Sequence, residues 1–248
     1  MTETVRSFVA VPLPEDRRAR IAAAAQELSR ELPGVRWSRK LENLHVTVKF
    51  LGQVAEDKLT ALADELGGAE RALAIRCDVT EWEEQEALVR TALERFGRLD
   101  VAFANAGFGG ARGFTASSPE DWKAMVLTNV YGAALTIRAA HAALIATKGH
   151  LLLTSSVAGR RALPGSFYSV TKHAVTAMGE AARLDFNDTG VRVTLIEPGM
   201  VDTPFFDNPP QIEALQADDI ARAVMFAVSQ PAHVDVNEIL IRPTAQPT

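Results

Sequence analysis

Cysteine is almost absent from this chain. Cys77 stands alone among 248 residues, so no internal disulfide can form and no cluster of thiolates can hold a metal. A reducing compartment, the cytoplasm, is the natural expectation, and no metal site is expected. Excess positive charge is also missing: 26 Lys and Arg stand against 31 Asp and Glu, for a net charge of -5. That balance excludes a general binder of nucleic acid or of anionic membrane, both of which need a clustered basic surface. The small basic cluster of Arg36, Arg39 and Lys40 reads as a solvated loop. No apolar run approaches the roughly 20 residues needed to cross a bilayer. The start of the chain carries Glu3 and Arg6 and no signal-type apolar core, so a soluble protein without a membrane partner is expected. Neither an internal repeat nor a low-complexity linker marks a domain boundary.

What is present is a 47% hydrophobic composition, enough for a large core and suited to one α/β domain. From about residue 58 the pattern alternates helix and strand, which predicts a parallel sheet covered on both faces. "EDKLTALADELGG" is an amphipathic helix closing on Gly67 and Gly68, and "EWEEQEALVRTALERFG" is a second, stopped by Gly97. "ALAIRCDV", "LDVAFANAG", "HLLLTSS", "VRVTLIEPG" and "VDVNEILIRP" read as buried strands. A long helix follows Ser118 as cap, with Pro119 at its first position and Asp121 beyond it. Another runs from Ser166 to Gly190, and "ADDIARAVMFAVSQ" is the last. Polar residues and glycines gather at strand ends, where open α/β sheets bind ligands. The first 57 residues differ. "RSFVAVPLP" reads as a strand, "EDRRARIAAAAQELSREL" as a helix and "GVRWSRKLENLHVTVKFLG" as two short strands around a turn, with the alternation of a sheet exposed on one face.

Tyr168 and Lys172 stand four apart in "YSVTK", so on a helix they share a face. An ammonium beside a phenol favours the phenolate and lowers its pKa from near ~10 toward neutrality, which makes Tyr168 a candidate general acid/base. The bland alternative is an exposed tyrosine beside an exposed lysine. Ser156, twelve residues earlier, could bind a substrate oxygen held between the two hydroxyls. Asn129, inside the long helix, is either a tolerated polar residue or a disturbance of the backbone ladder that accepts a water.

Taken together, Asp78 in "CDVT", "ANAG" at 104 to 107, Asn129, Ser156 in "SSVAG", Tyr168 and Lys172 in "YxxxK", and "PGMVDTPF" from 198 resemble the short-chain dehydrogenase/reductases over about residues 58 to 248. The resemblance implies a three-layer Rossmann-like, doubly wound, mostly parallel sheet and hydride transfer between NAD or NADP and a small alcohol or ketone. It implies Tyr168 as proton donor or acceptor, Lys172 lowering its pKa and holding the nicotinamide ribose, Ser156 orienting the carbonyl and Asn129 positioning a water. Asp78 and Val79 would meet the adenine, and Asn105, Ala106 and Gly107 would line the cofactor floor. Pro198, Gly199, Val201 and Thr203 would lie near the nicotinamide carboxamide. Homo-oligomers, dimers or tetramers, are implied through the helices holding Asn129 and Tyr168. "VDVNEILIRPTAQ" is similar to members acting on short 3-hydroxy acids.

The family's first βαβ unit carries a glycine-rich turn whose N–H groups receive the cofactor's pyrophosphate. Here "VPLPEDRR" takes that place, with Pro12 and Pro14 lacking N–H donors and Glu15 and Asp16 repelling phosphate. "GFGGARG", Gly107 to Gly113, does not replace it, because the next helix waits until Pro119; an active-site loop is the better reading. Residues 1 to 57 resemble instead the opening of the 2H phosphoesterases, with His45 and Thr47 forming one of that family's two H-x-[ST] motifs and the second absent. The expectation is a chimera: a single Rossmann-like domain whose sheet is completed by a foreign-looking front segment, with an atypical first βαβ unit and weakened cofactor binding. A silent scaffold, or a half-site nucleotide or RNA binder using His45, is the alternative.

Overall fold

The computed structural model describes residues 71–203, 205 and 211–246, residue 68, and the backbone of two strands, 4–12 and 45–55. The helices expected over residues 15–32 and 56–68, apart from residue 68, the turn at 13–16 and the basic cluster at 36–40 lie outside these residues. The chain divides into two compact units, Met1–Arg76 and Cys77–Thr248, each taken by itself.

In the first unit, β1 (Thr4–Pro12) pairs antiparallel with β2 (His45–Ala55), Pro12 facing His45, and with β3 (Ile75–Arg76) on its other side. The sheet order is β2-β1-β3. Two register shifts, between Arg6 and Phe8 and between Val9 and Ala10, add bulges that increase the local twist. "ALAIRCDV", read as a full buried strand, is a strand over two residues only and pairs antiparallel.

The second unit holds the parallel sheet. Its strands are β4 (Val101–Ala104), β5 (His150–Thr154), β6 (Arg192–Pro198) and β7 (Glu238–Ile241), in that order and all parallel. α1 (Trp82–Phe96) precedes β4, and α2 (Pro119–Val126), α3 (Gly132–Thr147), α4 (Phe167–Asp185) and α5 (Ala217–Val228) run between the strands. Alternate strand residues Ala102, Ala104, Leu151, Leu153, Val193 and Leu195 form one side of the core, and Ala133, Ala140, Leu144, Val175, Ala182 and Phe186 of α3 and α4 close it. Period-two and period-3.6 patterns meet there, which is why these runs are apolar. A Cβ at Gly179 would lie 2.6 to 3.0 Å from the side chain of Leu195, so glycine sets how closely α4 approaches β6.

The helix stops were legible. Gly97 takes φ 76 and donates its N–H to Leu93, and Ser118 with Asp121 forms a capping box behind Pro119. The helix read as far as Gly190 ends at Asp185 and reaches that glycine through turns. Pro119–Thr147 is a continuous helical run that is long and apolar enough, by length and composition alone, to cross a membrane, which the count of apolar runs had not anticipated. Its buried Ala133, Leu135, Ala140 and Leu144 belong to a face packed on the sheet, and that role explains part of its apolarity.

Candidate active site

At the C-terminal ends of β4, β5 and β6, the four side chains singled out for chemistry come together. Asn129 sits in a π-helical turn, Leu127–Tyr131, inserted between α2 and α3. The wider turn arises because the ladder skips a residue, with Gly132 N donating to Leu127 O. Asn129 is 1% exposed. Its Oδ1 accepts from Phe108 N, and its Nδ2 donates to Phe108 O and Thr171 Oγ1, each at 3.0 Å. The amide therefore clamps the loop after β4 to both helices. A Cβ at Gly107 would lie 3.1 Å from Asn129 Oδ1, close enough to make that side chain give by a few tenths of an ångström, and 3.4 Å from Lys172 Nζ, so both side chains border the floor closely at this point.

Ser156 heads a 3-10 turn, Val157–Gly159; its Oγ accepts from Ala158 N and donates to Pro198 O at 3.3 Å. The Tyr168 phenol faces it closely enough for Ser156 to oppose the rise in the phenol's pKa. Tyr168 and Lys172 lie in the first turns of α4, which Ser166 caps by accepting from Ser169 N. Lys172 is 3% exposed and its ammonium donates to Thr154 O at 2.7 Å. Burial pulls its pKa down to about 8.

The phenol's pKa moves opposite to the direction that the Tyr168–Lys172 spacing predicts. Burial pushes the Tyr168 phenol up to about 12, with Ser156 opposing the shift, rather than toward neutrality. Lys172 Nζ lies 5.6 Å from the centre of the phenol ring and spends a donor on a carbonyl. At that separation its field does not offset the loss of water around both groups.

Around this core, Asn105 Oδ1 accepts from Thr154 Oγ1 at 2.6 Å, so Thr154 braces the loop and the lysine together. Ala106 is half-buried beside them. The Pro198 carbonyl receives Ser156. Gly199 N donates to Ile241 O and Met200 N donates to Gln246 Oε1, at 2.7 and 2.8 Å. Val201 bridges to Leu215, and Thr203 Oγ1 accepts from Phe205 N. The Phe205 ring stands edge-on to Tyr168, centroids 5.7 Å apart. Asp78 and Val79 lie in the turn that leads into α1. Asp78 Oδ1 accepts from Thr80 N and Oγ1, and Val79 packs against Gly132 while its carbonyl accepts from Gln85. Thr154, Thr171, Phe205 and Gln246 were missed by sequence reasoning. Thr154 ends an apolar strand, a position that could have flagged it; Gln246 acts through backbone groups and leaves no such signal. Among the described residues, no group of three His, Cys, Asp or Glu side chains converges.

Comparison with known proteins bears on the family of the chain and on its fold. The profile of the family described as short chain dehydrogenase matches residues 34–213, which includes part of the segment read as foreign. An uncharacterized oxidoreductase of Staphylococcus aureus (strain MRSA252) is 36% identical over 192 residues, 76% of this chain and 83% of that protein. Among solved structures, an alcohol dehydrogenase from the archaeon Thermococcus sibiricus, complexed with 5-hydroxy-NADP, is 31% identical with a TM-score of 0.69, over 77% of this chain and 82% of that one. Serine dehydrogenase from Escherichia coli is 30% identical with a TM-score of 0.68, over 77% and 84%.

Proposed function

Because the chain belongs to the short chain dehydrogenase family, we propose that it is an NADP(H)-dependent oxidoreductase that interconverts a small alcohol and its carbonyl form, with Tyr168 as the acid/base. The observation that carries this is the meeting of the Ser156 hydroxyl, the Tyr168 phenol, the Lys172 ammonium and the Asn129 amide beside a glycine floor. The nicotinamide end of the cofactor fits these residues: Gly107 leaves backbone open to a flat ring, Lys172 offers a cation to a ribose hydroxyl, and Pro198 to Thr203 border the same place. When bound, the nicotinamide supplies or takes the hydride. Ser156 then holds the substrate oxygen, and Tyr168, protonated at neutral pH, gives that oxygen a proton in reduction and takes it back in oxidation. Asn129 fixes the loop from Gly107 and holds the water end of the relay. Asp78 and Val79 meet the adenine, and Asn105 and Ala106 complete the floor.

NADP is favoured over NAD because relatives of known structure are complexed with it, among them the Thermococcus sibiricus enzyme and a metagenomic short-chain oxidoreductase in complex with NADP. A short 3-hydroxy acid is the substrate class favoured first, supported by the likeness to serine dehydrogenase and by the C-terminal stretch noted above. Pro12 to Asp16 should hold the pyrophosphate poorly, so a weak affinity is part of the reading. The protein should be a cytoplasmic homo-oligomer. For residues 1–57, the short chain dehydrogenase match takes in residues 34–57, and the antiparallel β1–β2 ladder does not distinguish a phosphoesterase-like origin; binding of a 2′,3′-cyclic nucleotide, lost in His45→Ala, is what would favour one.

The test is turnover. NADPH should be consumed with a panel of small ketones and aldehydes, NADP+ should be reduced with 3-hydroxy acids, and Tyr168→Phe should lower kcat about 10²- to 10⁴-fold. Absence of turnover together with no saturable NADPH fluorescence would leave the silent scaffold as the answer.

A further inference from the structure

Ser156 stands at the head of a single 3-10 turn that is fastened to the end of β6 at two points. One is its own bond to Pro198 O, at 3.3 Å long for a hydroxyl donor. The other lies at the far end of the turn, where Arg160 donates Nε to both carboxylate oxygens of Glu197, at 2.8 and 2.9 Å. The Glu197 side chain is fully enclosed, at 0% exposure, while that of Arg160 is 33% exposed and reaches on to Glu238 of β7. Thr176 of α4 also donates toward Glu197, at 3.5 Å. Gly159, inside the turn, is pressed onto α4: a Cβ there would lie 2.4 Å from Ser155 Oγ and 2.7 Å from both Lys172 O and Thr176 Oγ1.

A buried ion pair is a poor way to add stability, since well-packed apolar residues in its place are often neutral or better. A guanidinium does, however, fix direction, because its N–H groups lie in one plane: Nε serves both Glu197 oxygens while Nη2 turns to Glu238, so two carboxylates set that plane. Here the pair joins the turn that carries Ser156, the strand that accepts its hydroxyl, and the helix that carries Tyr168 and Lys172. We propose that Arg160 and Glu197 are positioning residues: their ion pair holds the turn so that the Ser156 hydroxyl meets the Tyr168 phenol. This rests on the roles given to Ser156 and Tyr168 above. The charged groups facing Glu197 are Arg160 from the turn and, through the same guanidinium, Glu238 from β7; Thr176 faces it from α4.

The pair is tested with Arg160→Met, Arg160→Lys and the double variant Arg160→Met with Glu197→Gln. Arg160→Met should lower kcat for carbonyl reduction about 10²-fold, the scale of a misplacement of about 1 Å, while KM for NADPH stays within about twofold. Arg160→Lys, which keeps the charge and loses the planar set of N–H groups, should recover part of kcat. Thermal stability of Arg160→Met should fall with rising pH as the unpaired Glu197 loses its proton inside the protein. The double variant, free of that buried charge, should fold with a flat profile yet stay slow. Tyr131 is the one other tyrosine in the sequence, so NMR of isotope-labelled tyrosine in a Tyr131→Phe background reads Tyr168 without turnover. Its resonance should move in Arg160→Met as it does in Ser156→Ala. A folded Arg160→Met or double variant with wild-type kcat, or an unmoved Tyr168 resonance, overturns the proposal. A wild-type protein with neither turnover nor saturable NADPH binding would instead refute the oxidoreductase reading, and the NMR comparison would still decide the pair.

Discussion

Lys172 keeps its ammonium in an almost fully enclosed site where a carbonyl oxygen, rather than a carboxylate, receives it. Its folded pKa of about 8 lies below the ordinary 10.5, so stability from this group is fully present above 10.5 and is lost as pH falls through 8. At neutral pH the buried charge therefore costs roughly 3 kcal/mol. Lys172→Met should be more stable than the wild type at pH 7 by up to that amount while losing activity, and the gap should close as pH rises from 8 to 10.5. Denaturant unfolding across that range checks both signs. The same titration bears on binding: KM for NADPH should rise above about pH 8 as the cation that holds the ribose is lost. Tyr168 predicts the complementary asymmetry. Its phenol stays protonated up to about 12, so reduction is supplied with its proton at neutral pH, whereas oxidation, which needs the phenolate, should accelerate steadily through the alkaline range.

At the scale of elements, much of the site was legible because its signals are local. A four-residue spacing fixed Tyr168 and Lys172 on one helix face, and Ser118, Pro119 and Asp121 announced where α2 begins. Asn129 was half legible: a polar residue in an apolar helix raised the possibility of a disturbed ladder, and the π-helical turn is that disturbance. What stayed hidden depends on partners far apart in sequence. The phenol's raised pKa follows from burial that no spacing reveals, and the bond from Gln246 to the backbone after β6 leaves no mark on either segment. Gly107 and His150 carry predictions at this scale. Gly107→Ala should fold with little loss of stability yet lose most activity, since its Cβ would crowd Asn129 and Lys172; kcat beside the melting temperature separates the two. His150, at the opposite end of β5, is 1% exposed and bonds Thr194 Oγ1 at 2.7 Å. Its burial and the nearby Arg192 push its pKa down to about 3 from 6.5, so the stability it contributes is complete above 6.5 and is lost as pH falls toward 3. His150→Gln should move the acid-unfolding midpoint to lower pH.

At the scale of the whole molecule, two exposed stripes remain on helices that already bury their other faces. On α4 the exposed positions Val170, His173, Ala177, Ala181 and Leu184 follow helical spacing, and Val170 and Leu184 are 54% and 59% exposed. Along α2, the π-helical turn and α3, the exposed positions include Ala124, Leu127, Tyr131, Ala142 and Ile145. A helix needs one apolar stripe to join a core; a second one facing water is the mark of a surface that is covered in solution. The alanines at 177 and 181 leave room for a close helix-helix approach. This is the surface through which the proposed homo-oligomer should form, and covering it would also account for the apolarity that makes Pro119–Thr147 look long enough for a membrane. Light scattering on the purified protein should give a dimer or tetramer. Val170→Glu with Leu184→Glu should yield a monomer with unchanged far-ultraviolet circular dichroism, because neither side chain supports the core. If that variant keeps the wild-type mass, these stripes are not the contact. Activity should fall in the monomer, since Tyr168 and Lys172 lie on the same helix, and a partner packed along it steadies the turn that presents them.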